Sequence, residues 1–319
     1  MKITAVEAIP VRISRPQAFS SSLGVHQDTE NGVVVIDTDE GITGVGEASS
    51  VWDRKGRGEC DYINQLIAAH LVGRDPFRIN ELSGLMDGLL HRAWPAKAGV
   101  EMALYDIVGK ALNTPVYNLL GGSVREKVRL SHSLSMGPAE QIAQQAVRLA
   151  EEGYGTLKLK IGGDPAADRA NVEIVRRRLP DVILRVDANM GWTVDQAIRA
   201  SRALADLDVY WLEEPTIPED VDGHIAIARE GRLPIAAGEN FRSLYEFRDL
   251  ITRGGVSFPE PDVSNIGGIT VWMKVAHLAE AFNLPVTSHG VHDLHVHLLA
   301  AVPNASFLEV HGFGLEPYI

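Results

Sequence analysis

Asp187, Glu213 and Glu239 follow one another at intervals of 26 residues, and each closes a short apolar run. Those runs read Arg185-Val186-Asp187, Trp211-Leu212-Glu213 and Ala236-Ala237-Gly238-Glu239. Such an interval fits one strand-plus-helix unit, so three successive units deliver one carboxylate each to the same end of a parallel sheet. Three converging acids repel one another without a cation, and hard oxygen ligands suit Mg²⁺, which keeps positions open for substrate oxygens. Isolated acids after strands are commonly helix N-caps; repetition at equal phase favours the metal. Just upstream, Thr156-Leu157-Lys158-Leu159-Lys160-Ile161 places Lys158 and Lys160 on one face of a strand. Inside a barrel that face is dry, and an unpaired ammonium there is costly. Downstream, Pro261-Asp262, Ser288-His289 and Leu308-Glu309 close three further runs. An Asp on one strand beside a His on the next makes a dyad in which the carboxylate fixes the imidazole tautomer and raises its basicity.

The elements that must hold these groups alternate from about residue 126 onward. Strands are expected near 127–132, 155–161, 182–187, 209–213, 234–237, 257–261, 285–288 and 306–309. Amphipathic helices fit between them, among them 139–152, 194–204 and 269–282. Eight strands and seven intervening helices imply an α/β (β/α)₇β modified TIM barrel over residues 126–319. The chain stops soon after the eighth strand, so its C-terminal segment reads as short or missing. Residues 1–125 read as a smaller α+β unit: strands at 2–11, 32–37 and 43–47, a turn at Asp39-Glu40-Gly41, a mobile polar loop at 17–30, and helices at 60–72, 78–91 and 97–111.

A net charge of -12 argues against a nucleic-acid partner, which needs a positive footprint. The single cysteine, Cys60, fits a reducing compartment, and no run of about 18 apolar residues marks a membrane span. The N-terminus alternates like a strand and lacks a signal-peptide core. These features place the protein in the cytoplasm, away from membranes and nucleic acid.

Taken in order, the Lys-x-Lys, Asp-x-Asn, Glu-Glu-Pro, Gly-Glu-Asn and Ser-His elements resemble the enolase superfamily. Within it they resemble the mandelate racemase/muconate lactonizing enzyme family and its mandelate racemase-like subgroup. Glu101-Met102-Ala103-Leu104-Tyr105-Asp106 and Leu119-Leu120-Gly121-Gly122 resemble that family's capping domain. The resemblance implies Mg²⁺ held by Asp187, Glu213 and Glu239, with Glu213 rather than Glu214 as the ligand. It implies Lys160 as one acid/base, Lys158 as a contact to the substrate carboxylate, and His289 with Asp262 as the acid/base of the opposite face. Glu309 becomes a protonated acid donating to the developing enediolate. Asn265 stands where relatives often carry Lys or Arg. A homo-oligomer is also implied.

The expected chemistry is removal of the α-proton of a small carboxylate substrate, followed by dehydration of an acid sugar. Racemisation or epimerisation of a 2-hydroxy acid or amino-acid derivative, or cycloisomerisation, is the alternative. Ser22, His26, Trp52 and Asn189 are the candidate substrate contacts, with His132 and Ser133 also near the pocket. Two other classes compete. His289, His292, Asp293, His295 and His297 form a dense run that could suit a zinc hydrolase, and a barrel without activity could serve as a binding module.

Overall fold

The computed structural model of the chain describes residues 1–49 and 56–311; for residues 15–17 it describes the backbone alone. The first sheet has the order β1 (Ile3–Ser21), β2 (Gly24–Thr38) and β3 (Thr43–Ala48), all antiparallel. The polar stretch expected as a loop at 17–30 is instead the outer half of the β1–β2 hairpin, paired as far as Ser21 with Gly24. Backbone pairing with a register shift between Ser14 and Phe19 carries it, helped by the Arg12–Asp28 ion pair, so alternation fades there. The tip is anchored: Met136 N donates to Ser20 O at 2.9 Å, and Ser22 Oγ donates to Ala188 O and Asn189 O at 3.0 and 2.9 Å.

Behind this sheet lie α1 (Gly56–Tyr62), a π turn (Ile63–Ile67), α2 (Ala68–Leu71), α3 (Ile79–Leu89) and α4 (Trp94–Ala111). Ile36, Val34, Ile63, Val100 and Leu104 form their shared core. Helix α4 lies directly on β3 because Gly44, Gly46 and Gly99 carry no side chains. A Cβ on Gly46 would sit 2.8 Å from Ala103 N and closer still to Gly99 O. Gly46→Ala is therefore expected to destabilise the fold by about 1–3 kcal/mol through overpacking, read as a lower urea midpoint at unchanged slope.

A short α5 (Val116–Leu119) leads into the barrel. Its strands are β4 (Arg129–Leu134), β5 (Thr156–Lys160), β6 (Ile183–Asp187), β7 (Val209–Glu213), β8 (Ile235–Ala237), β9 (Phe258–Pro259) and β10 (Phe307–Val310). They run parallel in the order β10-β4-β5-β6-β7-β8-β9. The expected seventh strand is reduced to one bridge, Val286 with Ala305. Preceded by Pro285, which has no amide hydrogen, it still bonds both ways: Thr287 N to Pro259 O at 3.0 Å and Ser306 N to Val286 O at 2.8 Å. That segment closes the curled sheet between β9 and β10.

The outer layer is α6 (Ala139–Glu151), α7 (Pro165–Arg178), α8 (Val194–Leu204), α9 (Val221–Glu230), α10 (Leu244–Thr252), α11 (Ile269–Ala281) and α12 (His292–Ala301). Thr193 and Gln196 form a capping box that fixes where α8 begins after β6. Apolar faces of these helices meet outward-facing residues such as Leu157, Leu159, Leu184, Val186 and Leu212. The alternating inward positions carry polar groups over a small apolar cluster of Trp211, Ala236 and Phe307.

Candidate active site

The five residues of β5 are all buried, yet they divide by phase: Leu157 and Leu159 enter the apolar layer, while Lys158 and Lys160 point into the barrel. Lys158 Nζ lies 2.5 Å from Glu213 Oε1 and 3.4 Å from Asp187 Oδ2, and also pairs with Glu309. Lys160 Nζ pairs with Asp187. Burial alone would lower the Lys158 pKa, but Glu213, Glu309 and Asp187 hold it well above the usual lysine value. Burial likewise opposes an ionised Asp187, and the two lysines with the Asn189 amide bring its pKa down to about 2.

Asp187, Glu213 and Glu239 each turn one oxygen to a common point, with these atoms within 4.8 Å of one another. All three side chains are fully buried, and Glu239 Oε2 accepts no hydrogen bond. Glu214 is excluded from that cluster: it accepts from Gly238 N at 3.2 Å and Asn240 Nδ2 at 2.9 Å. Burial and then Glu239 raise its pKa to about 8. The chain bends sharply here. Asn189, Met190 and Glu214 hold positive φ of 39°, 63° and 37°, strain of a kind that gathers at functional sites. Asn189 supports the triad, donating its amide to Asp187 Oδ1 at 2.8 Å and its side chain to Glu239 Oε1 at 3.4 Å.

Across the barrel His289 Nδ1 lies 2.8 Å from Asp262 Oδ2, and its Nε2 lies 3.2 Å from Glu239 Oε2. Burial works against a charged imidazole, but Glu239, Asp262 and Glu309 outweigh it and raise the His289 pKa to about 10. Asp262 is itself held by the amides of Ser264 and Asn265. Asn265 is not left without a cation nearby, because Arg242 donates to its Oδ1 while its own amide donates to Glu239 O at 2.8 Å.

Glu309 pairs with Lys158. Burial would favour its neutral acid, and His311 and Lys158 work against that, holding its pKa well below the carboxylate range. It accepts from Ser133 Oγ at 2.8 Å and Gly290 N at 3.3 Å. His311, two residues further along β10's line and 3.1 Å from Glu309 Oε1, escaped the sequence reading. A Glu-x-His at a strand end, with both residues on one face, was the available signal.

A lower layer also escaped it, although the same two-residue phase announces it. Arg185, two before Asp187, is fully buried with its guanidinium 4.5 Å from the Trp211 ring centre. Trp211, two before Glu213, donates its indole N–H to Glu213 Oε2 at 3.0 Å. Glu260, two before Asp262, has both oxygens unpartnered, and burial drives its pKa well above the ordinary value.

The candidate substrate contacts fare differently. Ser22 is turned to backbone carbonyls at the barrel rim and Asn189 to the triad, so both position the site. His26 pairs with Phe19 across the hairpin, and it is the Phe19 ring whose centre lies 5.8 Å from Lys160 Nζ. Trp52 lies outside the described residues. His132 packs edge-on against Tyr154 with its Nδ1 3.0 Å from Ser133 O, while Ser133 Oγ turns to Glu309. The histidine run diverges: His295 bonds Val263 N and Gly290 O, and His297 stacks on Tyr117.

A barrel with this rim under an α+β cap defines an enolase-type protein, and the comparisons agree. The enolase C-terminal domain-like family matches residues 141–316, and the mandelate racemase/muconate lactonizing enzyme N-terminal domain matches residues 3–121. The chain belongs to the mandelate racemase/muconate lactonizing enzyme family of the enolase superfamily. It is 40% identical to 3,6-anhydro-alpha-L-galactonate cycloisomerase of Streptomyces coelicolor, over 97% of this chain and 88% of that one. A D-galactonate dehydratase of Ralstonia nicotianae is 35% identical, over 80% of this chain and 70% of that one. Among solved structures, a magnesium-bound racemase from Streptomyces coelicolor superposes with a TM-score of 0.94 at 38% identity, covering 99% and 90% of the two chains.

Proposed function

We propose that this protein removes the α-proton of a small acid-sugar carboxylate, using Lys160 and His289 from opposite faces, and completes a dehydration. The observation that carries this reading is that each base is tied to a different member of one carboxylate triad, Lys160 to Asp187 and His289 to Glu239. A substrate carboxylate drawn to the triad therefore has its α-carbon between the two.

The residues present fit a divalent ion: three buried carboxylates converge, and one oxygen, Glu239 Oε2, lacks a hydrogen bond. Mg²⁺ held by Asp187, Glu213 and Glu239 would supply positive charge against the second negative charge that builds on the substrate carboxylate. Lys158 adds a fixed cation beside the same oxygens. Lys160 takes the α-proton. His289, protonated and held in register by Asp262, gives its proton to the departing β-hydroxyl, which leaves as water. The resulting enol tautomerises to a 2-keto acid. The names of both sequence relatives contain galactonate, which supports a sugar acid over an amino-acid derivative. A second reading, racemisation or epimerisation, is favoured by the racemase among the structural neighbours: without a leaving group, the opposite base returns the proton to the other face.

Residues 1–125 would act as the specificity cap and 126–319 as the catalytic barrel, in a cytoplasmic homo-oligomer that engages neither nucleic acid nor membrane. The net charge of -12 supports this, and among the described residues no helix is long and apolar enough to cross a membrane.

Proton NMR in D₂O over a panel of sugar acids tests the reaction. New methylene signals of a 2-keto-3-deoxy acid support dehydration. Loss of the α-proton signal with the skeleton intact replaces it with racemisation, and silence with metal bound overturns the substrate class. Chelation is expected to abolish turnover and lower the thermal midpoint. Mg²⁺ restored to about 100 times its Kd should return about 2.7 kcal/mol of stability, measured by thermal melts against Mg²⁺ concentration.

A further inference from the structure

We propose a second metal site at the barrel mouth, in which His289, Glu309 and His311 bind Zn²⁺ while the carboxylate triad holds its own ion. One ligand atom from each of the three residues lies within 4.8 Å of the other two. Two imidazoles and one carboxylate are a donor set that zinc takes in open, three-ligand sites. The hard, all-oxygen triad suits Mg²⁺ and the mixed nitrogen–oxygen set suits zinc, so the two sites sort metals by donor type.

The geometry around the set is that of a supported site. Asp262 occupies His289 Nδ1 at 2.8 Å and leaves Nε2 to point inward, the carboxylate–histidine–metal arrangement that orients a ligand ring. The rings of His289 and His311 stand 5.5 Å apart and inclined at 66°, so two nitrogens can converge without stacking. Glu309 spends Oε1 on Lys158, Ser133 and His311, and its Oε2 receives only the 3.3 Å contact from Gly290 N among the described hydrogen bonds. Zinc would draw the ligand atoms to about 3.3 Å from one another.

The site stands independently of the proposed reaction, but a consequence rests on it: zinc would occupy the nitrogen with which His289 handles protons, so micromolar zinc would arrest a magnesium-loaded enzyme.

The test is metal uptake by the full chain at saturating Mg²⁺, by equilibrium dialysis with elemental analysis, using Zn²⁺ and then Co²⁺ as a visible-absorbing substitute. One zinc bound per chain beside one retained magnesium is expected, with a Co²⁺ spectrum lost in His311→Gln. Zinc affinity should fall in that variant by more than the 10–100-fold typical of losing an outer partner, while its Mg²⁺ affinity verifies an intact barrel. Zinc uptake only by magnesium displacement, equal in wild type and His311→Gln, would overturn the site, as would no uptake. Zinc bound there with turnover unchanged would leave the site standing and remove His289 from the proposed reaction.

Discussion

Lys160→Ala is expected to reduce turnover by about 10²–10⁴-fold, the usual contribution of a positioned acid/base, while leaving part of the proton chemistry alive. Its ammonium pairs with Asp187 at the end of β5, one strand from the triad and across the barrel from His289. The alanine variant therefore loses the base on one face only. An α-proton presented to His289 should still exchange with deuterium, and one presented to Lys160 should not. Following both stereoisomers of a responsive substrate by NMR checks this. Equal loss of exchange from both would mean that the substitution had disturbed the triad rather than removed a base. Mg²⁺ titration separates the cases, because Lys158 still faces Asp187 at 3.4 Å and should keep the carboxylates in place.

The second large effect concerns the adjacent glutamates. Glu213→Gln is expected to weaken Mg²⁺ binding by at least 100-fold and to bring activity below detection, whereas Glu214→Gln should change Mg²⁺ affinity less than tenfold. Glu213 is one of three triad carboxylates, is oriented by the Trp211 indole, and partners Lys158. Replacing it removes ligand charge and leaves Lys158 leaning on Glu309. Breaking a buried pair typically costs about 3–5 kcal/mol, and the surviving partner reduces that here. Glu214 serves the backbone turn at Gly238 and the Asn240 amide, jobs that a glutamine oxygen can share. Calorimetric titration of Mg²⁺ into both variants decides the assignment; similar losses in the two would sink it.

How far the molecule could be read from its sequence depended on periodicity. Strand ends recurring every 26 residues carry their carboxylates to one rim, so the convergence of Asp187, Glu213 and Glu239 was legible, as was the inward phase of Lys158 and Lys160. The layer beneath was written in the same phase, at Arg185, Trp211 and Glu260, but nothing in a single residue's type says that it is inward until the rim above it is known. The hairpin arm was illegible for a different reason: its residues pair through backbone and not through a buried face, so Gln17–Glu30 shows no alternation. His311 beside Glu309 was legible only as a Glu-x-His at a strand end, a pattern too short to stand out alone.

The anchoring of the hairpin tip sets the order in which this chain can assemble. Ser22 bonds to carbonyls 166 and 167 residues further along, and Ser20 to Ser135 across 115. Closing loops of that length comes late, since their entropy is spent before the contact repays it. The arm precedes the barrel in the chain and must wait for β4–β6 before its tip has anywhere to dock. Until then β1, an edge strand of 19 residues, stays open along one side. Slow maturation and self-association of nascent chains through that edge are the natural hazards of this architecture, and shielding the arm during synthesis should raise the yield of folded protein.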